Sequence, residues 1–240
     1  MMTRRKERKA AYLNPQAGFM PLSFDLLLSA KQALKRALRD RKFEVVRLAT
    51  NHYTPNAAAT IILVTTALEV SMNEAIAKGS SVLGSSVERS LALLPTCDKF
   101  AKVCSGSDRF QPTATELRLL VDLRDEIVHY LPRAERSAAG NFPHWCQTLQ
   151  KRGLFIEAPG SDYQFSQKIP SYALAYWSYE AAHEAIELFV RSLPDTTQRI
   201  CGNLLHNFSC YQDVCPPAKL RKYDGENFLE LTEWPGSDAT

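Results

Sequence analysis

The stretch that decides how this chain folds is "TATELRLLVDLRDEIVHYLP", Thr113 to Pro132. Leu117, Leu120, Val121, Ile127, Val128 and Leu131 recur at the spacing of a helix with one apolar face. Thr113 followed three residues on by Glu116 has the form of a capping box, which predicts a helix start near Pro112 and Thr113. Pro132 predicts its stop. At about 100° per residue, Arg124 falls within about 60° of all six apolar positions, in the middle of their stripe. A guanidinium cannot give up its charge, so burying it demands anionic or hydrogen-bonding partners. Three readings stay open. Arg124 makes a structural salt bridge to Glu69 or another acid on a neighbouring helix, or it snorkels from a shallow groove, or it waits for an anion from elsewhere. His129 sits about 140° round from Arg124 and about 7.5 Å further along an ideal helix, so the two do not converge on one straight helix. Taken alone, a histidine there reads as a capping or packing residue.

Outward from this segment the chain repeats the helical period. Leu26, Leu27, Ala30, Leu34, Ala37 and Leu38 predict a helix from about Ser23, a capping residue, to Ala49. Its lysines and arginines mark a solvated face, with RNA contact as the other reading. After Pro55, a segment from Asn56 to Lys78 is apolar on most sides and belongs at the centre of a bundle. "GSSVLGSS" lacks the lysine of a phosphate-binding loop and reads as a linker. Residues 85–103 are interrupted by Pro95 and predict two shorter helices. Residues 133–169 are mixed, with a short helix or small hairpin at most. Ser171 to Leu193 predict a long helix stopped by Pro194, with Tyr172, Tyr176 and Tyr179 on one stripe that packs a core or a subunit contact. One more helix to about His206 precedes an irregular end. The fold class expected is all-α, a helical bundle of four to five long helices with irregular extensions. The organisation expected is a basic flexible tail over 1–20, the bundle over 21–194 and an extension over 195–240.

The charge is unevenly placed. The formal net charge is +3. Residues 1–10 hold Arg4, Arg5, Lys6, Arg8 and Lys9 against Glu7, so the rest of the chain is close to neutral. The tail is either a solvated appendage or an electrostatic grip on nucleic acid. No secretory signal is read near the start, and the longest apolar run, Ala57 to Leu68, is short for a membrane span. A cytoplasmic protein without membrane attachment is expected. Six cysteines form no CxxC pair, so free thiols are the default. Cys201, His206, Cys210 and Cys215 lie close in sequence, but their spacing matches no common zinc motif; whether they bind zinc stays open, and no metal or cofactor is expected.

"LRDEIVHY" resembles the R-x4–6-H signature of the HEPN superfamily, small helical-bundle proteins of which many are ribonucleases. Arg124 matches the motif arginine and His129 the histidine, and Asp125 matches the polar residue placed directly after the arginine. "TTALEVSMNEAI" resembles the helix packed beside that motif, and "SYALAYWSYEAAHEAIELF" fits the later aromatic helix. The architecture of residues 23–193 is covered, the motif only over some eight residues. The resemblance implies metal-independent RNA cleavage in a cleft between two protomers, with Arg124 and His129 catalytic. Asp125, Glu69, Asn73 and Tyr130 are expected in support. Some members carry a tyrosine two residues after the histidine; here Tyr130 is one after and position 131 is Leu, so the regulation attached to that tyrosine is not carried over. The function expected is a homodimeric endoribonuclease, a toxin or defence nuclease with RNA as substrate and an antitoxin or regulatory partner. The alternative is a non-catalytic helical module for dimerisation, ligand binding or nucleic-acid binding.

Overall fold

Seven α-helices and a short 3-10 helix make up the described part of a computed structural model, which covers residues 22–41, 55–79, 84–128, 148–149, 152, 154 and 171–217. The helices are α1 (Leu22–Asp40), α2 (Pro55–Lys78), α3 (Ser85–Ala92), α4 (Thr96–Cys104), α5 (Phe110–Val128), α6 (Tyr172–Arg191) and α7 (Asp195–Phe208), followed by the 3-10 helix Ser209–Asp213. The described residues contain no strand. The protein is an all-α helical bundle whose long members are α1, α2, α5 and α6, as the apolar periodicity predicts.

α2 is the central helix. Ile61, Val64, Leu68, Met72 and Ile76 are all fully buried, and α1, α3, α5, α6 and α7 pack on it. Pro55 occupies its first position, where the missing N–H costs nothing; the helix therefore starts one residue before the expected Asn56. Its threonines are accommodated locally. The hydroxyls of Thr60, Thr65 and Thr66 donate to the carbonyls of Asn56, Ile61 and Ile62 at 2.8, 2.7 and 2.8 Å. In length and composition this helix would suit a membrane span, but more than half of it is buried inside the bundle, as in the core helix of many globular folds.

α1 presents Leu27, Ala30, Leu34 and Ala37 to the core. Ser23 does not cap it as expected. It lies inside the helix, its Oγ donates to Glu74 Oε2 at 2.8 Å, and its backbone N–H donates to Glu74 Oε1 at 3.4 Å. A carboxylate on α2 thus serves the positive end of α1, a partner no local pattern reveals. The last part of the expected segment, residues 42–49, lies outside the described residues, as does most of 133–169.

The turn after α2 depends on one glycine. A Cβ on Gly79 would stand 2.9 Å from Thr197 Cγ2 and 3.1 Å from Thr197 Oγ1, so the first turn of α7 rests directly on bare backbone. Gly79→Ala is expected to destabilise by about 1–3 kcal/mol through overpacking. Thermal melts check this, and Thr197→Ala in the same chain should recover most of the loss.

α5 begins earlier than its capping-box pattern predicts. Phe110 N–H donates to Ser107 O at 2.9 Å, and Ser107 Oγ accepts from Arg109 N–H at 3.2 Å, so the turn through Gly106 starts the helix. Pro112 then falls in the first turn, where its lack of an N–H is harmless. Thr113 is buried inside the helix. Glu116 is drawn away from any cap: its Oε2 accepts from Arg152 Nη1 at 2.7 Å and from Trp177 Nε1 at 2.9 Å. Tertiary partners offer this carboxylate more than the backbone of its own helix does.

Burial raises the Glu116 carboxyl, but the Arg152 and Trp177 hydrogen bonds and the Arg152 charge outweigh it and hold the group below the ordinary glutamate value of 4.5. A depressed carboxylate contributes stability that is present above its unfolded value and is lost as pH falls through the folded one. The stability difference between wild type and Glu116→Gln should therefore be constant from pH 7 to 5 and shrink below 4.5, read by melts across that range.

α6 and the C-terminal segment close the core. Ser171 caps α6 by accepting from Leu174 N–H at 3.0 Å. Tyr172, Tyr176 and Tyr179 face inward, as their spacing predicts. Tyr211 of the 3-10 helix stacks on Tyr179 at 5.0 Å between centroids and meets Tyr176 edge-on at 5.4 Å. The Tyr179 hydroxyl donates to Leu27 O at 2.7 Å and the Tyr172 hydroxyl donates to Cys215 O. Asp213 accepts from Lys31 at 2.7 Å, with Lys35 at 3.7 Å, tying the segment to α1. The chain thus continues its core across Pro194: Cys201, Leu204, Phe208, Tyr211 and Val214 belong to the same apolar cluster as α1, α2 and α6.

Candidate functional site

The second half of α5 carries the candidate site. Leu117, Leu120 and Leu123 are fully buried, while Val121 and Ile127 are only partly covered and Val128 is 47% exposed. Cover by the described residues therefore thins toward the helix end. Arg124 stands on this same face with its side chain 25% exposed. Its Nε lies 3.0 Å from Oδ1 of the adjacent Asp125, yet that atom is buried and lacks a hydrogen bond of acceptable geometry. Asp125 is 50% exposed, so the contact is a surface pair of sequence neighbours, worth little. Among the described residues, Arg124 has no ion pair to another helix. The structural salt bridge to Glu69 is not formed.

Glu69 and Asn73 sit one turn apart on α2, and a residue the sequence reading did not single out answers them. Lys99 of α4 is 1% exposed, and its Nζ donates to Asn73 Oδ1. Burial lowers the pKa of this ammonium, against the opposing pull of the Glu69 charge. A signal was present in "TCDKFAKVC": the buried positions Thr96, Phe100 and Cys104 fall on one helical stripe, and Lys99 falls beside them.

Nearby, Cys97 lies among the charges of Arg118, Asp122 and Asp125 on α5 and of its neighbour Asp98, and burial raises its thiol pKa. Burial also raises the Asp122 carboxyl, which Arg118 counteracts and Asp125 reinforces. His129 and Tyr130 lie outside the described residues.

The four C-terminal residues considered for zinc do not gather. Cys201 is fully buried, Cys215 and His206 are exposed, and no group of three or more His, Cys, Asp or Glu side chains placed to hold a metal occurs among the described residues. Burial raises the pKa of the Cys201 and Cys210 thiols.

By fold the chain is therefore a helical bundle in which Arg124, on a face that the described residues cover only in part, pairs among them with the adjacent Asp125. It matches no family model, no curated protein and no solved structure.

Proposed function

We propose that the protein is a metal-independent endoribonuclease of the HEPN type, acting in the cytoplasm as a homodimer. The observation that carries this reading is Arg124: a permanent charge among aliphatic neighbours, partly open to solvent, with only the adjacent Asp125 as ion-pair partner among the described residues. Such a group suits the phosphate of an RNA backbone, which a guanidinium can grip with two hydrogen bonds. His129 supplies the proton chemistry, since an imidazole near pKa 6.5 takes or gives a proton at neutral pH. The ribose 2′-oxygen attacks phosphorus as its proton passes to one imidazole. The bond from phosphorus to the 5′-oxygen breaks, and that oxygen takes a proton from the second imidazole, His129 of the partner subunit. The products are a 2′,3′-cyclic phosphate and a 5′-hydroxyl. Arg124 holds the phosphate and the charge that builds on it. Asp125 orients a histidine or meets the opposite arginine, and Tyr130 lies in the same motif. The reaction needs no cofactor. The physiological role this chemistry suits is a toxin or defence nuclease, with an antitoxin or regulatory partner restraining it.

The exposed Val128 beside partly covered Ile127 also favours the second reading, a module that binds another chain without cutting RNA. Incubation of mixed RNA in excess EDTA separates the two. The nuclease leaves cyclic-phosphate ends, whereas the binding module leaves RNA intact at every protein concentration tried. A protein that stays monomeric at micromolar concentration would count against a shared cleft.

A further inference from the structure

We propose that the solvent face of the last turns of α1 is a cationic track for the phosphate backbone of single-stranded RNA. The inference rests on the reading of the protein as a ribonuclease, and names a surface that holds the substrate beyond the reacting phosphate. Residues 35–42 hold Lys35, Arg36, Arg39, Arg41 and Lys42 against Asp40, in a chain whose formal net charge is +3. The fold turns part of this run into a face. Ala30, Ala33, Leu34 and Ala37 are buried in the bundle, while Gln32, Lys35, Arg36 and Arg39 are exposed. At about 100° per residue, Lys31, Gln32, Lys35, Arg36 and Arg39 share an arc of about 140°, and Lys31 to Arg39 spans about 12 Å along the axis. No acid stands between Lys31 and Arg39 in the chain.

Acids from other elements leave most of the row free. Asp213, from the C-terminal 3-10 helix, lies 2.7 Å from Lys31 and 3.7 Å from Lys35 and so answers one end. Asp40 accepts from Asn56 Nδ2 at 2.6 Å, near the start of α2. Among the described residues, Arg36 and Arg39 have no ion pair. Lys31, Lys35 and Arg39 stand one turn apart, a spacing at which like charges repel, so the row costs α1 stability unless an anion lies along it. The negative end of the helix accounts for a cation only in the last turn, which here is Arg39. A polyanion converts the repulsion into attraction and releases counterions. Guanidinium forks suit phosphate oxygens, which they grip with paired hydrogen bonds. An anionic membrane is the poorer fit, because the exposed apolar residues of α1, Leu22 and Leu28, lie in its first half and give the cationic part nothing to insert.

The test is anisotropy with a mixed-sequence 2′-O-methyl RNA oligonucleotide, which lacks the attacking hydroxyl, across about 50–200 mM salt. The variant carries Lys35→Gln, Arg36→Gln and Arg39→Gln together, which keeps good helix formers at exposed positions. The control carries Arg89→Gln, Lys102→Gln and Arg199→Gln, exposed cations of α3, α4 and α7, and so matches the change in net charge. The α1 variant should bind about tenfold more weakly at low salt, and its plot of log affinity against log salt should be shallower by about 2, since each lost phosphate contact removes about 0.7. The control should stay within about threefold of wild type. Should the triple variant not fold, Arg36→Gln with Arg39→Gln reads the same effect as a slope change of about 1.4. Equal losses in variant and control, or an unchanged slope in a folded α1 variant, overturn the proposal. So does wild-type protein that fails to bind the oligonucleotide, whether or not it binds phosphatidylserine vesicles. An α1 variant that cuts ordinary RNA with wild-type half-saturation removes the track and leaves the nuclease reading standing. Binding through the row with ordinary RNA left uncut overturns the nuclease reading instead and leaves the track in place.

Discussion

Arg124→Ala is expected to lower RNA cleavage by about a hundredfold to a thousandfold while leaving the melting temperature nearly unchanged. The first half follows from the role assigned to the guanidinium, because a donor aimed at charge that develops in the transition state is worth that much when removed. The second half follows from its surroundings. The side chain is 25% exposed and its ion-pair partner is the neighbouring Asp125, so its removal orphans no interior carboxylate among the described residues. The stability change should stay within about 1 kcal/mol. Were Arg124 a structural ion pair instead, the same substitution would unfold the protein by several kcal/mol and say nothing about chemistry. Arg124→Lys keeps the charge but not the planar fork, and should recover only part of the activity. His129→Ala should abolish cleavage to a similar degree. Single-turnover cleavage and thermal melts on the same preparations separate the two quantities.

The second large effect is on stability and concerns the C-terminal segment. Phe208→Ala is expected to cost about 3–5 kcal/mol. Phe208 is fully buried at the end of α7 and belongs to the same cluster as Leu27, Leu34 and Ile76. A loss of that size is a large share of the total stability of a domain. Urea unfolding measures it. If residues beyond Pro194 were only an appendage, the main transition would hold its midpoint and a separate early transition would appear. A single shifted transition is the outcome that the shared core requires.

The two largest effects thus fall at opposite ends of what local pattern can reveal. The arginine was visible from its angle on the helix alone, since an apolar stripe interrupted by a guanidinium is a conflict that sequence displays directly. Whether that conflict was resolved internally was not visible. Glu69 and Asn73 were visible as well, but the buried Lys99 that donates to Asn73 comes from another helix. The capping box at Thr113 and Glu116 failed for a related reason. The pattern was sound, but Trp177 and Arg152 offer Glu116 better hydrogen bonds than a helix end does.

Local pattern by itself determined the all-α class, the central place of the helix Pro55–Lys78 and the inward tyrosines of α6, through periodicity, and the break at Pro95 and the stop at Pro194, through proline. These depend on neighbours three or four residues apart, and such neighbours meet in any helix the chain forms. Only the tertiary structure decided where the polar groups found partners, Glu74 at the start of α1, Lys99 on Asn73 and Asp213 on Lys31, and that Thr197 rests on the bare backbone of Gly79. Each joins residues far apart in the chain. Desolvation makes an unpaired polar group costly inside a bundle, yet the identity of its partner depends on which helices lie side by side, and no local spacing encodes that.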